Sequence, residues 1–133
     1  MGLSRSRIGG EVDLPSKEGA VAATATFARD LSTSLGEPQQ VHLAVDVVVE
    51  MVDGCDHAGV TMVTRDGLET VAATSPLVTE GDRLQYELAE GPCVDTVKTH
   101  STVISSDIGS DPRWPRWGPA IAERHGVGSI LSL

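Results

Sequence analysis

The sequence predicts an α+β domain, and three observations carry that expectation. Segments with a helical period and recognisable stops are interleaved with segments of strand character. Two of the strand-like segments flank Arg65-Asp66-Gly67, which is hairpin turn chemistry. A further strand, Val127 to Leu133, follows a glycine stop at Gly126. With 133 residues and 40% hydrophobic content, the chain is long enough for one core and short for two.

Taken in order, residues 1–18 mix Gly, Ser, Arg and Pro without periodicity and read as a disordered tail, which leaves 19–133 as the domain. Ala20, Ala23, Phe27, Leu31 and Leu35 recur at spacings of three and four, the pattern of one amphipathic helix. Gly36 stops it and Pro38 opens a second helix that runs to about Val52. That second helix is apolar nearly all round, with His42, Asp46 and Glu50 as a narrow polar line. Its valines would suit a strand, but the polar line keeps a period near 3.6. So much apolar surface needs two partners, a sheet on one side and a neighbouring helix or second subunit on the other. A homodimer is therefore expected, with Phe27, Leu31, Val41, Val45, Val48 and Val52 at its interface.

His57 to Thr64 and Leu68 to Thr74 form the hairpin. Ser75-Pro76 caps a short helix, which Thr79-Glu80-Gly81-Asp82 interrupts. Gly91-Pro92 opens a helix over Cys93 to His100, and Thr102 to Ile104 is a short strand. Asp111-Pro112 reads as an N-cap with proline at the first helical position, starting a helix that carries Trp114, Trp117, Ile121 and Ala122 and ends at Gly126.

Composition narrows the functions. A net charge of -9 argues against direct contact with nucleic acid, since phosphate binding needs clustered Lys and Arg. Two cysteines without a preceding apolar signal region are not a secreted disulfide framework, and no apolar run approaches a membrane span, so a cytoplasmic location is expected. Asp53, Cys55, Asp56 and His57 crowd together, but a turn at Gly54 scatters such side chains, and no metal site is expected. The His42, Asp46 and Glu50 line reads as a solvated face. His57, His100 and His125 fall at element ends and make poor haem ligands.

Cys93 is the one candidate nucleophile. A helix start lowers a thiol pKa, whereas the nearby carboxylates of Glu90 and Asp95 raise it, and a buried inert cysteine is the expected outcome. The segment Leu84-Gln85-Tyr86-Glu87-Leu88-Ala89-Glu90-Gly91-Pro92-Cys93-Val94-Asp95, then Asp111-Pro112-Arg113-Trp114-Pro115, then Gly126-Val127-Gly128-Ser129-Ile130-Leu131-Ser132 resembles the GAF domain. It resembles more narrowly the GAF half of actinobacterial GAF-ANTAR regulators, in which a small-molecule sensor precedes an RNA-binding helical module. The resemblance runs from about Phe27 to Leu133.

That resemblance implies a GAF/PAS-like antiparallel sheet with helices on one side and a ligand pocket on the other. Tyr86, Leu88, Cys93, Trp114 and Trp117 are the residues expected around the pocket; the ligand and any cofactor stay unknown. The implied function is a non-catalytic small-molecule sensor or dimerisation module of a cytosolic bacterial signalling or antitermination regulator. Two alternatives stand beside it. One is a redox-active GAF enzyme like the reductase of free methionine sulfoxide, using Cys93, although no thiol follows Cys93 in the chain to support a disulfide cycle. The other is a degenerate GAF fragment that acts by self-association alone. In this family the strand matching Val127 to Leu133 turns into a Gly-rich strand at the sheet centre, and none follows here, so the domain is expected to be C-terminally truncated. Two half-sheets would then face each other with open edges that attract another strand, in a marginal or domain-swapped chain.

Overall fold

A computed structural model describes residues 2–6 and 38–133. The chain forms β1 (Gly2–Ser6), α1 (Pro38–Met51), β2 (His57–Thr64), β3 (Gly67–Ala73), α2 (Pro76–Leu88), α3 (Pro92–Thr99), β4 (Val103–Ser105), α4 (Trp117–His125) and β5 (Val127–Ser132). The strands make one five-stranded sheet in the order β3-β2-β1-β5-β4, and every pairing is antiparallel. The expected α+β architecture is therefore present. The helix expected over residues 20–35, with Phe27 and Leu31, lies outside the described residues, as do residues 7–18 of the expected tail.

The sheet centre differs from the expectation. Gly2–Ser6, read from sequence as part of a disordered tail, is a strand inserted between β2 and β5. It occupies the slot that the resemblance assigns to a strand after Leu133. Five residues with one large apolar side chain give no period to read, and the partners that order them lie far along the chain. Gly2 stands opposite Gly59 and Ser132, Leu3 opposite Ala58 and Leu131, and Ser4 opposite His57 and Ile130. The two inner edges that would otherwise lack hydrogen-bond partners are satisfied by β1.

The helices cover both faces of the sheet. On one face α1 buries Ala44, Val45 and Val48, and Val45 and Val48 pack with Leu3, Ala58 and Ala72. Val41 and Val52 lie at the margin of this cluster. Val45 and Val48 are fully buried within the chain, so these two do not present themselves to a second subunit as expected. The apolar surface that α1 leaves exposed is instead Leu43 and Met51, 64% and 66% exposed.

On the other face lie α2, α3 and α4, over a cluster of Val103, Ile108, Trp114, Trp117, Ile121 and Val127. Leu77, Leu84 and Leu88 of α2 pack against it. The helix α2 continues through Gly81 rather than breaking at residues 79–82. The Trp117 indole N–H donates to the Gly81 carbonyl at 2.9 Å. Tertiary packing here overrides weak helix propensity. Among the described residues no helix is long and apolar enough to cross a membrane.

Both short helices on this face are capped from a distance. The backbone N–H of Cys93, in the first turn of α3, is taken by the Gln85 side-chain carbonyl at 2.8 Å. Glu90 accepts from the backbone N–H groups of Arg116 and Trp117 at 2.7 and 3.0 Å, capping α4. The long helix expected from Pro112 accordingly starts only at Trp117. Asp111 closes an Asx turn on the Arg113 N–H at 3.1 Å instead of capping a helix.

Candidate functional site

Beneath α2 and α4, against the sheet, lies a cavity of about 30 Å³. Leu77, Val78, Trp117, Ile121, Val127 and Ile130 give it apolar walls, Gly2 and Ser4 of β1 form part of its floor, and Asp82, Gln85 and Cys93 supply polar groups. That volume suits one or two water molecules, whereas sites for drug-sized ligands run to several hundred Å³. A larger guest therefore has to part the helices from the sheet.

The polar side of the cavity is one connected network. The Thr70 hydroxyl donates to Asp82 Oδ2 at 2.8 Å, and Gln85 Nε2 donates to Asp82 Oδ1 at 3.1 Å. The Cys93 thiol lies 3.8 Å from the same Oδ1. The Tyr86 hydroxyl bridges Thr61 and Thr70 at 2.9 and 3.0 Å. Thr61 and Thr70 face α2 together because the β2–β3 register shifts between Val60 and Thr61, which carries Thr70 to the side opposite that of Ala72. Gln85 is 1% exposed and Asp82 6%, so the inner end of the network is buried, while Thr61, Thr70 and Tyr86 are half-buried. Gly91, at φ 142, keeps Gln85 in place, since a side chain there would collide with it.

Burial pushes the Asp82 carboxyl above its ordinary pKa, opposed in part by the hydrogen bond from Thr70. Burial likewise pushes the Cys93 thiol up, and the Asp82 charge adds to it, while Ser132 hydrogen-bonds the sulfur and works the other way. The direction is the one expected for Cys93, but the carboxylate responsible is different. Glu90 and Asp95 are engaged elsewhere: Asp95 accepts the Trp114 indole N–H at 2.8 Å, and Glu90 pairs with Arg116 at 3.0 Å. Burial alone would raise Glu90, yet the Trp117 and Arg116 N–H groups and the Arg116 guanidinium hold its pKa down. The other thiol, Cys55, is pushed up to about 11, mainly by burial.

Of the five residues expected around a pocket, the structure brings Cys93 and Trp117 to the cavity wall. Tyr86 belongs to the polar network next to it. Trp114 is a core residue, 1% exposed, in a T-shaped pair with Trp117 at 5.7 Å, and Leu88 packs beside that core. Asp82, Gln85, Ser132 and Ser4 were not read from the sequence. A signal existed for two of them. Leu77, Gly81, Leu84, Gln85 and Leu88 form one stripe at helical spacing, and an unbroken α2 puts Asp82 beside it. Among the described residues no three His, Cys, Asp or Glu side chains converge as a metal site would require.

The architecture is an antiparallel α+β domain with a small cavity under its helices, lined by indole, aliphatic and a few polar groups. The profile of the GAF domain matches residues 35–133, and the chain belongs to that family. Domains of this family are small-molecule sensing or regulatory modules. Neither the curated proteins nor the solved structures contain a match to the chain. The central strand β1 lies outside the matched segment.

Proposed function

We propose that this chain is the small-molecule sensor domain of a bacterial signalling or antitermination regulator, cytoplasmic and without catalysis of its own. The observation that supports it is the cavity under the helices, whose polar groups are few and fixed by a hydrogen-bond network. The buried hydroxyl of Ser4 faces the cavity without a hydrogen-bond partner among the described residues. A small, mostly apolar compound with one or two polar atoms satisfies Ser4 and leaves the network intact. The Asp82 carboxylate and the net charge of -9 disfavour an anion. Contact with RNA, as in the regulators that the sequence resembles, belongs to a separate module. The domain pairs with a second copy through the exposed apolar side of α1, at Leu43 and Met51, together with the helix expected over residues 20–35.

The test is a panel of small neutral compounds screened by melting temperature, followed by amide chemical shifts. A binder should raise the melting temperature in proportion to its concentration above Kd. Its shifts should concentrate at Gly81, Cys93 and Val127. A panel that moves no resonance at the cavity would overturn the sensor reading. The small cavity volume favours a second reading in that case, a domain that acts through protein contacts alone. Catalysis through Cys93 is tested by alkylation: reaction much slower than a model thiol at pH 8 is expected. Rapid reaction, with peroxide or sulfoxide reduction abolished in Cys93→Ser, would establish the enzyme alternative.

A further inference from the structure

The slot between β2 and β5 is filled by a strand from the far end of the chain. Its backbone bonds are made to β2 on one side and β5 on the other. Its side chains fit in alternation: Leu3 enters the aliphatic cluster with Val45, Val48, Ala58 and Ala72, while Gly2 and Ser4 floor the cavity. The strand packs closely on the cavity side, where Gly2 lies against Cys93. None of these contacts is to a sequence neighbour. Residues 7–37 join β1 to α1, and roughly thirty residues can span on the order of 100 Å. The same bonds therefore form whichever copy of the chain supplies the strand.

We propose that β1 is exchangeable between copies. A second copy of this chain lays its own Gly2–Ser6 into the slot, antiparallel to both neighbours. In the resulting dimer each cavity is floored by Gly2 and Ser4 of the other copy, so the site is completed in trans. The balance follows from effective concentration. A strand tethered to its own chain competes with the strands of other copies through its effective concentration, so the closed single chain dominates in dilute solution and exchange rises with chain concentration. A strand recruited between two open edges is also held on both sides, so an exchanged dimer once formed separates slowly. The inference does not depend on what the cavity binds.

The experiment uses two copies of the full chain, one carrying Ser4→Cys and the other, isotopically labelled, carrying Ile130→Cys. These positions face each other across the β1–β5 pair, where cross-strand Cβ atoms lie about 5 Å apart. The copies are unfolded, mixed, refolded at several concentrations, oxidised and digested, and disulfides are identified by peptide mass, which also separates them from links to Cys55 or Cys93. The expected result is a disulfide between position 4 of one copy and position 130 of the other, rising at least severalfold between micromolar and near-millimolar refolding. A chain with both substitutions should close the same link within itself at low concentration. Absence of the intermolecular link at every concentration, while the double variant closes, overturns exchange. Failure of the double variant to close overturns it too, because β1 then does not occupy the slot. A dimer made through the α1 face keeps position 4 of one copy away from position 130 of the other, and gives no such link.

Discussion

The two faces of the sheet are built on different principles. Under α1 the contact is mainly aliphatic: Leu3, Val45, Val48, Ala58 and Ala72 pack together, with Cys55 at their margin, and their cohesion is burial. Under α2, α3 and α4 the core is aromatic and carries a buried acid, an amide, a thiol and two hydroxyl-bearing strands bonded into one network. The first face tolerates small changes of shape, because nothing in it needs a partner. In the second, each polar group is costly if a neighbour is lost. On the second face, fixed dipoles meet the cavity described above.

The contrast is broken most severely by a charge on the aliphatic face. Val48→Glu places an unpaired carboxylate among Leu3, Ala58 and Ala72 and should cost more than about 4 kcal/mol, enough to abolish a cooperative melt by circular dichroism. An unchanged melt accompanied by conversion of dimer to monomer would instead show that Val48 faces a partner. On the other face, Gln85→Leu keeps much of the volume but removes the acceptor of the Cys93 N–H and a donor to Asp82. A loss of about 2–3 kcal/mol in urea titration is expected, with the α3 amides exchanging faster.

Asp82→Asn is milder and is read through pH. The folded-state pKa of Asp82 is raised, so the native state holds the proton more tightly than the unfolded chain does. That contribution is full below pH 3.8, the ordinary value, and is lost as pH rises through the folded pKa. Asp82→Asn should remove this decline, flattening stability above pH 4 while changing it by only about 1 kcal/mol at pH 4. Retention of the full pH slope in the variant would assign it to another group.

The smallest effect is expected at Asp111, on the rim of the aromatic face. Its carboxyl is held well below the usual range, first by the Arg113 guanidinium, which bonds both its oxygens at 2.9 and 2.6 Å. The sign is opposite to that of Asp82: the stabilisation is present above pH 3.8 and is lost as pH falls through the folded value. Asp111→Asn should cost under about 1 kcal/mol at neutral pH, as for other rim ion pairs, and should blunt acid sensitivity. A larger loss would mean that Arg113, which also reaches the Ile104 carbonyl at 2.6 Å and stacks 4.5 Å from the Trp114 ring, anchors its loop more firmly than a rim pair does.

The aliphatic face was the more legible of the two in the sequence. The second helix, the hairpin and the last strand were readable because period, turn chemistry and glycine stops are local signals. Trp117 and Cys93, which the resemblance places around a ligand pocket, line the small cavity. The network was not, because Asp82 and Gln85 look like ordinary surface residues once Gly81 is taken as a break. Their burial depends on Trp117, thirty-odd positions away, donating to the Gly81 carbonyl. Capping was misplaced for the same reason. The side chains that finish α3 and α4, Gln85 and Glu90, belong to neither helix. The strand β1 was hidden most completely, since Gly-Leu-Ser-Arg-Ser has no pattern apart from the partners that receive it.

That strand also governs the order in which the domain can assemble. Leu3 stands opposite Leu131, separated by almost the whole chain, and the hairpin and helices between them rely on contacts of much shorter range. Insertion of β1 waits until β5, far along the chain, has been made, and loop-closure entropy has to be overcome before any ladder bond rewards it. Folding should therefore be biphasic in time, with rapid formation of hairpin and helices followed by a slower insertion that depends on chain topology. During the interval a nascent copy displays two raw sheet margins to its neighbours, and crowded polysomes are where those margins meet.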